Sequence, residues 1–491
     1  MALTEKNIRN IFIYAVPKFI SYGLNLITLP ILTRLLTPHE FGVIALAWLF
    51  PAIAVSVFSC GITASAQRYY FEYRHDNDKF ISFVFSLQVF LYISLLASSL
   101  GVYFFKDTIS SLIMGNRDFG FAVFVTFVAG YFGQIANFYL TLYQNMGKAV
   151  VHSTFTVLQA LITTAAGLIL VWHFKMSYMG ILYGSLLGAC TVCLTMMLHF
   201  NRNLVFALNS RILWDNIKYG FQVIPKSFSG FINRFFDKYM LNTMLSLSAV
   251  GVYNIGQTIG NALFFLMSTV WSSFQPVYYG EVFDKGQDGS VSAGRLFTMF
   301  AYITLMPVLL LILFAQEIVH IIAPASYYGA IDIIIIMSGA VSTQVFGMYV
   351  GVQYAYSKKA YWIFPATVVG TLANVAANIF LIPRFGMIGA GFSIVISTCV
   401  VNGILTFIGQ KLYRIQYDWK IIISLYAIIL GAMTSVFYLR FIEFNNIYLY
   451  LLKLTFIVLF IFAGIKAKLI TKQSVEKVRS ALFNFPKRKE A

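Results

Sequence analysis

The chain has 491 residues, of which 59% are hydrophobic, 17% aromatic and only 11% charged, with 35 Lys and Arg against 18 Asp and Glu. This composition excludes a soluble globular protein. Apolar runs longer than about 18 residues recur along the chain, enough to cross a hydrocarbon core, and they lack the short alternating pattern of barrel strands.

In chain order the pattern predicts about fourteen helical spans. The first six are Ile11–Leu35, Phe41–Ala66, Phe80–Phe105, Phe119–Tyr143, Ala149–Trp172 and Tyr178–Phe200. The next six are Tyr219–Leu245, Val250–Tyr278, Leu296–Val319, Ala330–Tyr356, Tyr361–Ile382 and Met387–Ile408. Ile421–Phe441 and Ile447–Lys466 complete the set. The net charge of +17 has a topological reading. With the N-terminus inside, 24 of the 35 basic residues fall on the cytoplasmic side, while Arg34, Lys106, Arg117, Lys175, Arg384 and Arg440 fall outside. That asymmetry predicts an even number of spans, both termini cytoplasmic and no nucleic-acid partner. The basic tail, with Lys487-Arg488-Lys489, then serves topology or contact with anionic lipid. The first span is too long for a signal-peptide core and is expected to be retained. Cys190-x-x-Cys193 with His199 lacks a second ligand pair, so no metal or disulfide framework is expected.

The most informative pattern is a repeat. Val16-Pro17-Lys18, Ser21 and Asn25 recur at identical spacing as Ile224-Pro225-Lys226, Ser229 and Asn233. Phe41-Gly42-Val43 is matched by Val250-Gly251-Val252, and Lys175 and Gly180 by Arg384 and Gly389. The unit is therefore six spans. An even unit places both copies in the same orientation, about an axis along the membrane normal. The expected fold class is an all-α membrane protein with two pseudo-symmetric six-helix lobes, 1–210 and 211–415. Two further helices (416–470) and a basic cytoplasmic tail (471–491) follow.

Lys18, Ser21 and Asn25 are three and four residues apart and form one helical stripe; Lys226, Ser229, Asn233 and Asp237 form another, flanked by Arg234 and Lys238. Pro17 and Pro225 each remove a backbone donor and are expected to kink their helices. A central charge costs ~2.5–3.5 kcal/mol to insert, which favours a polar cavity over lipid. The bland alternatives are snorkelling of Lys18 and Lys226 to the interface, and a structural pair of Arg234 with Asp237. Polar stripes at Asn254, Gln257 and Asn261, at Gln134, Asn137 and Thr141, and at Asn374 and Asn378 fit interhelical hydrogen bonding as well as substrate contact.

Several segments resemble the bacterial Wzx-type polysaccharide flippases, a branch of the multidrug/oligosaccharidyl-lipid/polysaccharide exporter superfamily. They are Arg34 to Val43 (RLLTPHEFGV), Arg68 to Tyr73 (RYYFEY), Asp237-Lys238-Tyr239, Leu247 to Tyr253 (LSAVGVY) and Leu381 to Gly386 (LIPRFG). The resemblance implies a transporter rather than an enzyme. Its two lobes would surround a cationic cavity that opens alternately to either side of the bacterial cytoplasmic membrane. The implied cargo is an undecaprenyl-diphosphate-linked oligosaccharide repeat unit for O-antigen or other surface polysaccharide, with a polymerase and a chain-length regulator as further partners. Lys18, Lys226 and Arg234, with Arg34 and Lys238, are the expected diphosphate contacts. Ser21, Asn25, Ser229 and Asn233 are the expected cavity lining. No cofactor is expected; Asp237 is the candidate for coupling to a proton or sodium gradient, membrane potential being the other energy source. A multidrug antiporter of the same superfamily is one rival, though cationic drugs favour a more acidic cavity. A membrane glycosyltransferase or polymerase is the other, and it needs acid/base groups on a substantial outer loop. The longest outer connection, Lys106 to Asp118, is short and offers no such carboxylate pair.

Overall fold

The computed structural model describes the backbone of residues 5–201, 207–439, 446–467 and 469. Within those ranges it describes the side chains of all but 5–12, 14, 15, 18, 201, 225–230, 233, 234 and 446. The basic tail at 471–491 lies outside the described residues.

Fifteen α-helices follow one another and no strand occurs among the described residues. The first eight are α1 (Glu5–Leu35), α2 (Pro38–Ala47), α3 (Leu49–Phe58), α4 (Ile62–Tyr73), α5 (Asn77–Met114), α6 (Gly120–Asn145), α7 (Ala149–Trp172) and α8 (Ser177–Asn201). The remaining seven are α9 (Ser210–Met244), α10 (Leu247–Lys285), α11 (Ser290–Ile322), α12 (Ala330–Ser357), α13 (Ile363–Leu412), α14 (Trp419–Leu439) and α15 (Asn446–Lys466). Ten stretches among the described residues are long and apolar enough to cross a membrane, and two of these, Leu247–Ile322 and Ala360–Leu412, each hold two predicted spans.

One predicted span changes. The second is not one helix: α2 and α3 part at Trp48, which keeps αR dihedrals, and Cys60 and Gly61 take positive φ (50° and 63°) and break the run before α4. A Cβ on Gly61 would also fall 2.4 Å from the Gly220 carbonyl oxygen. Spans eleven and twelve lie together in α13, and its non-helical turn at Gly386 (φ 57°, ψ −131°) parts two helices where the pattern places the boundary. α1 runs through Pro17 and Pro30 as a single helical element.

The described residues form two compact units. One comprises Met1–Ile255, Val319–Ala330 and Val375–Ala390, and the other Gly256–Ile318, Ile331–Asn374 and Gly391–Ala491. The first unit is cored by aromatic and branched residues of α4, α5 and α6, among them Phe83, Phe127, Tyr131 and Tyr139, all fully buried. In the second, Phe300 meets Trp271 and Phe297 meets Tyr349 edge to face, while Tyr349 lies tilted against Trp271 and Phe300.

The repeat is visible as matched contacts inside the first unit. Thr37 caps α2 with a full capping box: its Oγ1 accepts from Glu40 N at 3.3 Å, and Glu40 Oε2 accepts from Thr37 N at 2.7 Å. Ser246, at the equivalent place before α10, accepts from Ala249 N at 3.1 Å. Thr37→Ala is expected to destabilise the protein by about 1 kcal/mol. The readout is the thermal midpoint of the detergent-purified protein.

Candidate functional site

The duplicated glycines meet. A Cβ on Gly42 would fall 1.9 Å from the Leu247 carbonyl oxygen, and a Cβ on Gly251 the same 1.9 Å from that of Pro38. Pro38 and Leu247 are themselves repeat equivalents, so α2 and α10 cross in a self-complementary contact of the kind a two-fold axis produces. Only residues without a side chain allow backbones that close. A second matched pair lies beside it: Thr33 Oγ1 donates to Ile322 O at 2.7 Å, and its equivalent Asn242 donates from Nδ2 to Met114 O at 2.9 Å. Tyr327 fastens the same end by donating to Leu36 O at 2.6 Å and meeting Phe41 edge to face. These contacts within the unit are therefore ones that the repeat makes with itself.

A buried polar cluster joins α9, α10 and α13. Asp237 and Lys238 on α9 are only 1% and 9% exposed, so both need partners to be tolerated. Asn378 on α13 donates from Nδ2 to Asp237 Oδ1, and Tyr253 on α10 donates to Asp237 Oδ2 at 3.5 Å. Lys238 Nζ donates to Asn254 Oδ1 at 2.7 Å. Asp237 is seven residues from the end of α9, roughly 10 Å along the axis. Asn254 and Asn378, equivocal in sequence, are partners of this charged pair. The partners of Asp237 were hidden in the sequence because Tyr253 is aromatic in an apolar run and Asn378 is 141 residues away.

A second polar feature is an open cavity of about 270 Å³ lined by Ser56, Thr63, Gln67 and Gln134 together with Val223 and Ile224. Gln134 Nε2 donates to Thr63 Oγ1 at 3.0 Å. The cavity thus abuts the helix turn that continues into Pro225 and Lys226. The side chains of Lys18, Lys226, Ser229, Asn233 and Arg234 lie outside the described residues. Of the other expected site residues, Ser21 is half-buried and Asn25 exposed on α1. Arg34 is also exposed, with Nη2 donating to Ile321 O at 3.4 Å. Among the described residues no three His, Cys, Asp or Glu gather as a metal site.

The fold has known counterparts. A solved structure described as a lipid II flippase, MurJ, in an inward closed conformation matches with a TM-score of 0.70 at 15% identity, covering 93% of this chain and 99% of that one. An inward-facing multidrug resistance MATE family transporter of the MOP superfamily matches at 0.64 and 15% identity, covering 82% and 97%. A MOP superfamily transporter from Pyrococcus furiosus, described as having a binding pocket of reverse polarity, matches at 0.56 and 15% identity, covering 82% and 95%. No curated protein matches by sequence search. The spans mark a multi-pass membrane protein, and its fold is the one that these transporters share. Residues 8–277 match the model of the polysaccharide biosynthesis protein family, and the chain belongs to that family.

Proposed function

We propose that this protein is a flippase that moves an undecaprenyl-diphosphate-linked oligosaccharide from the cytoplasmic to the outer leaflet of a bacterial cytoplasmic membrane, for surface polysaccharide assembly. The observation that carries the reading is the Pro-Lys-x-x-Ser-x-x-x-Asn stripe, present twice in a chain of the polysaccharide biosynthesis family. Two lobes, 1–210 and 211–415, supply one copy each. The diphosphate meets Lys18, Lys226 and Arg234, with Arg34 and Lys238 in support, while the polyprenyl tail stays in lipid. At an effective dielectric near 20, a cation 4 Å from a phosphate contributes ~4 kcal/mol before desolvation is subtracted, so two or three contacts hold the head group and still release it. Both termini are cytoplasmic, and a polymerase with its chain-length regulator receives the product. The α2–α10 crossing, which the repeat makes with itself, supports a symmetric alternating-access cycle.

The test is transport of the lipid-linked oligosaccharide by Lys18→Ala, Lys226→Ala and their double mutant at matched membrane abundance. Each single substitution is expected to weaken transport and the double to abolish it. Wild-type transport by the double mutant overturns the cation role and leaves snorkelling as the explanation. Export of cationic dyes in place of the lipid-linked sugar would instead favour the multidrug reading.

A further inference from the structure

α14 and α15 have no counterpart in the repeat, yet α15 carries a lysine that no lipid-facing helix needs. Lys453 is 2% exposed, and its ammonium pairs with Glu317 Oε1 on α11. Both belong to apolar spans: Glu317, its side chain 29% exposed, is five residues from the end of α11 and Lys453 seven from the start of α15, roughly 8 and 10 Å along their axes. Three features set it apart from a simple fastening. Glu317 Oε2 is buried with no hydrogen-bond partner. The Lys453 ammonium also lies over the rings of Phe314 and Tyr450, at 5.2 and 5.4 Å from their centroids. And α11 leaves helical geometry at Phe314 (φ −109°, ψ 15°), one turn before Glu317.

We propose that Glu317 is an intramembrane proton-binding site, with Lys453 as its fixed counter-cation. The proton adds to Oε2, the oxygen without a partner. The carboxylate becomes a carboxylic acid whose Oε1 still accepts from Lys453, and the pair passes from neutral to a single positive charge. The two ring faces keep that charge tolerable when the carboxylate is neutralised, because cation–π attraction is strong where water is excluded. The consequence falls on α11. Glu317 stands between the break at Phe314 and the point after Ile318 where the chain passes from one compact unit to the other. Weakening its hold on α15 therefore frees a helix segment already detached from regular geometry. The titratable or charged groups that share these two helices near the site are Lys453 and Tyr450 on α15 and His320 on α11. His320 is exposed and its ring lies 4.4 Å from that of Tyr328. The role in driving transport rests on the flippase reading; proton binding itself does not.

The two parts are tested separately. In the purified wild-type protein, a hydrophobic carbodiimide, which reacts with protonated carboxyl groups, is expected to label Glu317 increasingly as pH falls, read by mass spectrometry. Absence of labelling at every pH at which the protein stays folded overturns the site. In proteoliposomes, Glu317→Gln is expected to lose stimulation by an imposed pH gradient while exchange without a gradient continues. Retained gradient stimulation in Glu317→Gln overturns the coupling role, and so does its return in the Glu317→Gln, Lys453→Met double mutant, which would leave only a fastening. If the variants do not reach the membrane, the wild type is treated with the carbodiimide instead. Loss of gradient stimulation with exchange intact then supports the coupling role, and retained stimulation in the labelled protein overturns it. Labelling of Glu317 in a protein that moves no lipid-linked sugar would keep the proton site and count only against the flippase reading.

Discussion

Gly42→Ala and Gly251→Ala are each expected to impair transport strongly, and by similar amounts. In either variant the new methyl group meets a backbone carbonyl oxygen at 1.9 Å, and a backbone has little freedom to give way. Overpacking of this kind costs ~1–3 kcal/mol. Borne only by the conformation that holds this crossing, that shifts its population about 5- to 150-fold. The double mutant is expected to be less than additive, because the first methyl already parts α2 from α10 and the second meets a wider gap. Transport and thermal midpoint across the two single variants and the double decide the matter. Unchanged values in Gly42→Ala would refute the close crossing.

Asp237→Ala is expected to have the second large effect. The substitution removes the acceptor for both Asn378 and Tyr253 at a site 1% exposed to solvent. Hydrogen bonds to a charged group contribute ~1.5–3 kcal/mol each, so the loss is on the order of 3 kcal/mol. Asp237→Asn retains an oxygen acceptor and is expected to lose about half as much. Thermal unfolding of the two variants beside wild type measures the difference. Equal midpoints for Asp237→Ala and wild type would show that the carboxylate is not held as described.

Much of this molecule was legible in its sequence, and the parts that were not share a cause. Span positions follow from apolar length, and Ala149–Trp172 and Ala330–Ser357 begin where the pattern places them. The second span misled because Cys60 looks like any small apolar residue, while its backbone turns into the positive-φ region. The Pro-Lys stripes were readable because they occur twice. The pairing of Asp237 with Asn378, and of Glu317 with Lys453, was not, since each joins helices far apart in the chain and neither is repeated. Periodicity reports which face of a helix is polar; it does not report which helix will lie against it.

The self-complementary crossing of Gly42 and Gly251 also bears on ancestry. Two separate copies of a single six-helix chain, related by a two-fold axis, would make the same contact, glycine backbone to partner carbonyl in both directions. Joining two such copies in one gene leaves that interface intact but removes the requirement that both sides stay identical. The second half holds Asp237, Lys238 and Asn378 where the first holds Thr28, Leu29 and Ile169. Had the halves remained copies of one gene product, a buried carboxylate acquired by one would have appeared in both. Two halves in one chain let this protein keep a symmetric crossing while placing the Asp237 carboxylate on one side only.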